Sequence, residues 1–296
     1  MLDKLVFYSE WGNGDIFESR EFVKDYMKQF PAKEYYYAHK KHPRILADIP
    51  ELKYTPIEDF MNCRMPFFNK GNSLYVNTWI GRTSKYVLPG FGCAVERLFD
   101  MHNEYLHAID NKHLLKTVYE YIPSIDFSYY DTEGVNNFLE TVKKSKRMVL
   151  IDNGNVLSKQ AENFDFTLVI RSLAEIFTDI IFVITHEINY KAENVFTASE
   201  IINSTNSTLV FDLNEISYLS QFCDTLIGRC SGPHTFCQTL DNWLDKDKVL
   251  LSFTYSPYGA SFVLDSRNLF MKKIWSGNTD PIEVGKDCYK VIKRSD

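Results

Sequence analysis

Two short stretches hold residue types at spacings that could do chemistry. The first is Leu226-Ile227-Gly228-Arg229-Cys230-Ser231-Gly232-Pro233-His234-Thr235-Phe236, which reads as the end of an apolar strand, a sharp turn and the start of a helix. Ser231 suits an N-cap, and Pro233 suits the first helical turn, where its missing N–H costs nothing. Such a junction gathers unpaired backbone N–H groups and the positive end of a helix dipole, which favours a phosphate. The same pattern also fits an ordinary capped strand-to-helix turn. The second stretch is Trp11-Gly12-Asn13-Gly14-Asp15. Its two glycines, Gly12 and Gly14, accept dihedrals that other residues resist and allow close backbone approach. Asp15 opens a helix with Glu18 three residues on, which fits a capping box whose carboxylates satisfy backbone donors. It fits equally a general base at the carboxyl end of the first strand. Both readings stay open at this level.

These stretches need elements to position them. Leu5–Tyr8 predicts a buried strand, and Ile16, Phe22, Val23, Tyr26, Met27 and Phe30 recur at helical spacing over residues 16–29, with Pro31 ending the run. Residues 34–38 and 52–54 predict two further strands. Ser73–Arg82 reads as a strand emerging into a polar, aromatic loop, where Asn77, Trp79 and Arg82 are candidate acceptor contacts. Helices are expected over 95–109, 112–121 and 134–144. The pattern restarts at Met148–Ile151 with a strand, the loop Asp152-Asn153-Gly154-Asn155 and a helix over 163–177. Strands at 180–184, 209–211, 225–227 and 248–253 and helices at 214–222 and 281–292 complete it. Alternation of this kind predicts an α/β class, as two Rossmann-like domains with parallel sheets facing a cleft, divided as 1–145 and 146–296. Neither half carries G-x-G-x-x-G, which argues against a nicotinamide-dependent enzyme.

Composition narrows the classes further. The chain of 296 residues is 45% hydrophobic and 24% charged, with a net charge of −6, so a general nucleic-acid binder is not expected. No apolar stretch approaches the length of a membrane span, and no signal peptide is read at the start. The basic runs Lys40–Arg44 and Lys143–Arg147 leave only peripheral membrane contact open. Six cysteines without a C-x-x-C pair fit free thiols in a reducing, cytoplasmic setting. Asp245-Lys246-Asp247 has the form of a metal-binding D-x-D but sits in a polar turn, so neither a metal nor a cofactor is expected.

Taken together, these stretches make the chain similar to the heptosyltransferase-like glycosyltransferases of the two-domain GT-B fold. Gly14-Asp15-Ile16 resembles the family's Gly-Asp-apolar motif, and Gly228–His234 resembles its G-x-D-S-G-P stretch. Cys230 stands where the family usually has Asp, and His234 lies one place early. The resemblance implies a metal-independent, inverting transfer from a nucleotide-sugar donor to a saccharide or glycoconjugate acceptor. Asp15 would be the base, and Arg229, Ser231, Gly232, Pro233 and His234, with Gly14, would surround the donor diphosphate. Asn153 and Glu187 are the expected contacts to the donor base and ribose. A nucleotide-sugar 2-epimerase of the same fold and a non-catalytic nucleotide-sugar binding module are the alternatives.

Overall fold

The computed structural model describes residues 1–61, 66–78, 94–109, 122–142, 147–157, 160–203, 212–257 and 269–293. The chain forms two compact units, the first comprising Met1–Asp126 and the second Phe127–Ser261 with Asp265–Asp296.

The first unit is built on β1 (Leu2–Tyr8), α1 (Asn13–Glu18), α2 (Arg20–Gln29), β2 (Ala32–Ala38), β3 (Leu52–Thr55), β4 (Phe67–Lys70), β5 (Ser73–Asn77) and α3 (Ala94–Ile109). Its sheet runs β3-β2-β1-β5-β4, parallel except for β4, which pairs antiparallel with β5. β1 is central, and this is why Leu5–Tyr8 are apolar without alternation: both faces are covered. Gly71, at φ 62, supplies the left-handed conformation that lets β4 reverse into β5.

The single helix expected over 16–29 is two. Ser19 lies between α1 and α2, with its hydroxyl donating to the Ile16 carbonyl at 2.8 Å and bonding the Tyr37 hydroxyl at 3.0 Å. Tyr37 in turn bonds Thr78 Oγ1 at 2.6 Å, so one buried hydroxyl chain ties helix, β2 and the end of β5 together. Arg20 is buried against Asp48 and donates to the Ile45 carbonyl at 2.6 Å, locking the start of α2. The buried apolar positions of α2 are Phe22, Val23 and Tyr26, one face at helical spacing.

The second unit contains α4 (Glu133–Thr141), β6 (Met148–Asp152), α5 (Thr167–Ile176), β7 (Ile181–Ile184), β8 (Val195–Thr197), α6 (Ala198–Ile202) and α7 (Leu213–Ser220). After these come β9 (Thr225–Arg229), α8 (Gly232–Phe236), α9 (Leu240–Leu244), β10 (Val249–Phe253), β11 (Lys272–Ser276) and α10 (Pro281–Ile292). Every pairing in the sheet is parallel, in the order β11-β10-β9-β6-β7-β8. Counted from β6 as strand one, that is the doubly wound order 3-2-1-4-5-6, with its reversal between β6 and β9. Val149, Ile151, Phe182, Ile184, Ile227 and Leu251 from the sheet pack with Val169, Ile170 and Leu173 of α5 and Val284, Cys288 and Ile292 of α10. α10 starts as its sequence demands: Asp280 accepts from the Ile282 and Glu283 N–H groups at 3.0 and 3.2 Å, and Pro281 opens the first turn.

The division between units falls ahead of α4, not after it at residue 145. The reason is packing: Phe138 meets Phe196 edge-on at 5.0 Å, and Tyr218 donates to Asn136 at 2.9 Å, so α4 belongs with the second sheet. The expected helix at 112–121 and the strand at 209–211 lie outside the described residues. Among the described residues, no helix is long and apolar enough to cross a membrane.

Candidate functional site

In a doubly wound sheet, ligands bind beyond the carboxyl ends of the strands where the order reverses. In the second unit this point lies between the ends of β6 and β9, where the sequence places Asp152 and the Ser231 turn. Gly228 makes the approach feasible, since a Cβ there would lie 2.8 Å from the Asp152 Cβ and 2.9 Å from His234 Cδ2.

Ser231 is the N-cap of α8, as expected, but its hydroxyl does not cap the helix. It donates instead to Asp152 Oδ2. The same oxygen accepts the N–H of His234, the third residue of α8, at 3.2 Å, a bond that an N-cap side chain normally takes. Asp152 therefore acts as a surrogate cap reaching from another strand. Its other oxygen accepts from Thr185 Oγ1 at 2.9 Å and from the Gly154 N–H at 3.3 Å. The carboxylate is buried, 2% exposed, and four donors saturate it. Cys230 puts no carboxylate at its own position, and the one at this turn comes from β6. α8 is only five residues long, so little macrodipole develops, and the expected anion site reduces to free N–H groups. Those of Ser231 and Gly232 have no partner among the described residues.

Arg229 does not face solvent. It is fully buried, with Nη1 donating to the Phe164 carbonyl at 2.8 Å and Nη2 to the Asn153 and Gly154 carbonyls at 3.0 and 2.7 Å. Its guanidinium also stacks on Phe164 and Phe166 at 4.8 and 5.0 Å. It is a clamp on the loop after β6, not a cation offered to a phosphate. His234 is likewise internal: Nε2 lies 3.3 Å from the Leu251 carbonyl and 3.1 Å from Ser252 Oγ. Burial lowers its pKa against the pull of Asp152. Pro233 is half-buried in the first turn.

Asn153 braces the site. Its amide donates to the His186 carbonyl at 2.8 Å and its oxygen accepts the His186 N–H at 2.8 Å, fixing the loop after β7. Glu187 is exposed at the same edge. Asp212 precedes α7, and burial raises its carboxyl pKa. Asp152, Thr185 and His186 are the residues that the sequence reading did not single out. The available signal was an Asp ending an otherwise wholly apolar strand.

In the first unit, Asp15 is the third residue of α1 and accepts the Gly12 N–H at 2.9 Å. Asp15 thus acts from the third helical position onto Gly12, which has no side chain to return the bond, and does not open a capping box with Glu18. Desolvation raises the Asp15 pKa, opposed by its backbone hydrogen bonds and by Lys41. Glu18, one turn on, is raised well above the ordinary carboxylate range by burial and by the Asp15 charge. Gly14 sits half-buried within α1. Asn77 is buried, 2% exposed, with its backbone carbonyl accepting from His102 Nε2 at 3.2 Å. Trp79 and Arg82 lie outside the described residues. Among the described residues, no group of three or more His, Cys, Asp and Glu side chains is placed to hold a metal ion.

No family model matches the sequence, and no curated protein does. Solved structures do. A glycosyl transferase family 9 protein from Veillonella parvula superposes with a TM-score of 0.57 at 12% identity, covering 99% of this chain and 90% of its own. The E. coli ADP-heptose LPS heptosyltransferase II gives 0.56 at 13% identity, covering 98% of each chain. The E. coli heptosyltransferase WaaC with ADP gives 0.52 at 8% identity, covering 98% of this chain and 99% of its own. Likeness over whole chains at so low an identity is a likeness of fold, and the fold of this chain is the two-domain GT-B fold.

Proposed function

We propose that this protein is a glycosyltransferase that moves a sugar from a nucleotide-sugar donor to a saccharide or glycoconjugate acceptor, with inversion and without a metal. The observation that carries the reading is the switch point of the second sheet. There two unpartnered N–H groups, at Ser231 and Gly232, stand at the rim of a braced polar edge formed by Asp152, Asn153, Thr185 and His186. The fold shared with heptosyltransferases, one of them solved with ADP, agrees with a donor bound through its diphosphate.

The donor contacts proposed are the Ser231 and Gly232 N–H groups for the diphosphate, with Glu187 and the loop held by Asn153 at the nucleoside. Arg229 and Pro233 shape that turn, and His234 holds it from below. Asp15 is proposed as the base. Desolvation makes its carboxylate a better proton acceptor, while the Gly12 N–H holds one oxygen in place. In the step, the acceptor oxygen forms a bond to the anomeric carbon and its proton passes to Asp15. The bond to the diphosphate breaks, and that electron pair leaves with the phosphate oxygen. Attack opposite the leaving group inverts the anomeric carbon.

A thermal-shift panel of nucleoside diphosphates and nucleotide sugars, each with and without EDTA, tests the reading. A ligand at a hundred times its Kd adds about 2.7 kcal/mol, a clear rise in Tm. One diphosphate that stabilises in EDTA supports the proposal and identifies the base. No stabilisation by any of them defeats it. Stabilisation without transfer to any acceptor would leave a binding module.

A further inference from the structure

His186 is an exposed side chain that the fold holds as if it were buried. Its backbone N–H and carbonyl are both bonded to the Asn153 side chain. Its ring rests on Gly154, where an added Cβ would come within 2.7 Å of Nδ1. Nδ1 itself lies 3.1 Å from Thr185 Oγ1. Such immobilisation costs rotamer entropy that an exposed residue normally keeps.

The hydrogen-bond arithmetic then sets the tautomer. Thr185 has one hydroxyl hydrogen and three acceptors in range: Asp152 Oδ1 at 2.9 Å, Asn153 Oδ1 at 3.3 Å and His186 Nδ1. The carboxylate is the nearest and the only charged one, so it takes that hydrogen. The contact at Nδ1 must then run the other way, with Nδ1–H donating to Thr185 Oγ1. In the neutral ring this leaves Nε2 bare. Nε2 has no partner among the described residues, and the side chain faces solvent at the carboxyl edge of β7, beside the switch point. A bare ring nitrogen accepts a hydrogen bond, so it suits a hydroxyl hydrogen and not a phosphate oxygen.

We infer that His186 Nε2 accepts a hydroxyl hydrogen of the bound nucleotide sugar, so that an Asp152–Thr185–His186 relay reads a hydroxyl on the donor. The inference rests on the donor-binding reading above. The hydroxyl can belong to the ribose or to the transferred sugar.

Imidazole 15N NMR of the ligand-free protein at pH 8 should show Nδ1 protonated and Nε2 bare, and an Nε2–H tautomer overturns the inference. Calorimetry then compares wild type, His186→Ala and Gly154→Ala, the last displacing the ring without removing it. The ligands are ADP, GDP, UDP and CDP, their 2′-deoxy forms and the matching nucleotide sugars. The ligand that wild type binds best should weaken on the order of 10-fold in both variants. A loss already seen with the bare diphosphate, and absent for its 2′-deoxy form, assigns the ribose. A loss seen only with the nucleotide sugar assigns the sugar. Unchanged affinity in His186→Ala overturns the inference and leaves the donor reading intact, whereas a wild type that binds none of these ligands removes both.

Discussion

Two carboxylates stand at helix starts in this molecule, and they are held in opposite ways. Asp15 belongs to the helix it caps and reaches back to the Gly12 N–H a few residues away. Asp152 reaches across from β6 to a helix some eighty residues on and is saturated by Ser231, His234, Thr185 and Gly154. The first is half-buried, desolvated and followed one turn later by a second acid, so its proton affinity rises. The second has no lone pair left for a reaction. A carboxylate supplied with donors from four places is architecture. One that is short of donors and close to another acid has the raised proton affinity that the proposed base requires.

Stability measurements can break that contrast. Asp152→Ala should have the largest effect, because it strips the cap from α8 and leaves two buried donors, the His234 and Gly154 N–H groups, unpaired. A loss of about 3 kcal/mol in denaturant unfolding is expected, from the usual value of hydrogen bonds to charged groups. A loss below 1 kcal/mol would make Asp152 a free site carboxylate and reverse its assignment. Arg229→Met keeps the bulk between Phe164 and Phe166 but frees three carbonyls, and about 2 kcal/mol is expected by the same measurement. Gly228→Ala should cost about 1–2 kcal/mol, since neither the Asp152 Cβ nor the His234 ring can step aside easily.

The smallest effect belongs to Glu18. Its folded-state pKa lies above the ordinary 4.5, so the folded chain keeps a proton that the unfolded chain has released. Stability from this group therefore falls as pH rises from about 4.5 through the folded value, and the whole penalty is present above it. Glu18→Gln removes the penalty. The variant should gain Tm over wild type as pH rises, with no gain at pH 4, and a gap that stays flat with pH would show that Glu18 is not perturbed.

Much of the frame was legible because it depends on local pattern. Asp280-Pro281 announces α10, and apolar runs announce β1, β6 and β10, which are interior strands of their sheets. β11 escaped because it is an edge strand, Lys272–Ser276, whose exposed lysines mask the strand character. Ser19 hid the break between α1 and α2, since its reason is Tyr37, a long-range partner. The site divides the same way. Ser231 as an N-cap and Asp15 at a helix start are local facts. The retreat of Arg229 into the fold is not, because an Arg after a strand reads as exposed until Phe164 and Phe166 are brought around it. Nor could spacing reveal that Asp152 would take the Ser231 hydroxyl and the His234 N–H at that helix start.

The most direct test of the account is the Asp15→Asn variant, assayed for transfer and for donor affinity in the same preparation. Asn keeps an oxygen for the Gly12 N–H but cannot take the acceptor proton. The account predicts donor affinity unchanged within about twofold and transfer reduced by roughly 10²–10⁴-fold, the usual contribution of a general base. Transfer at the wild-type rate would contradict it and leave Asp15 as a helix cap alone.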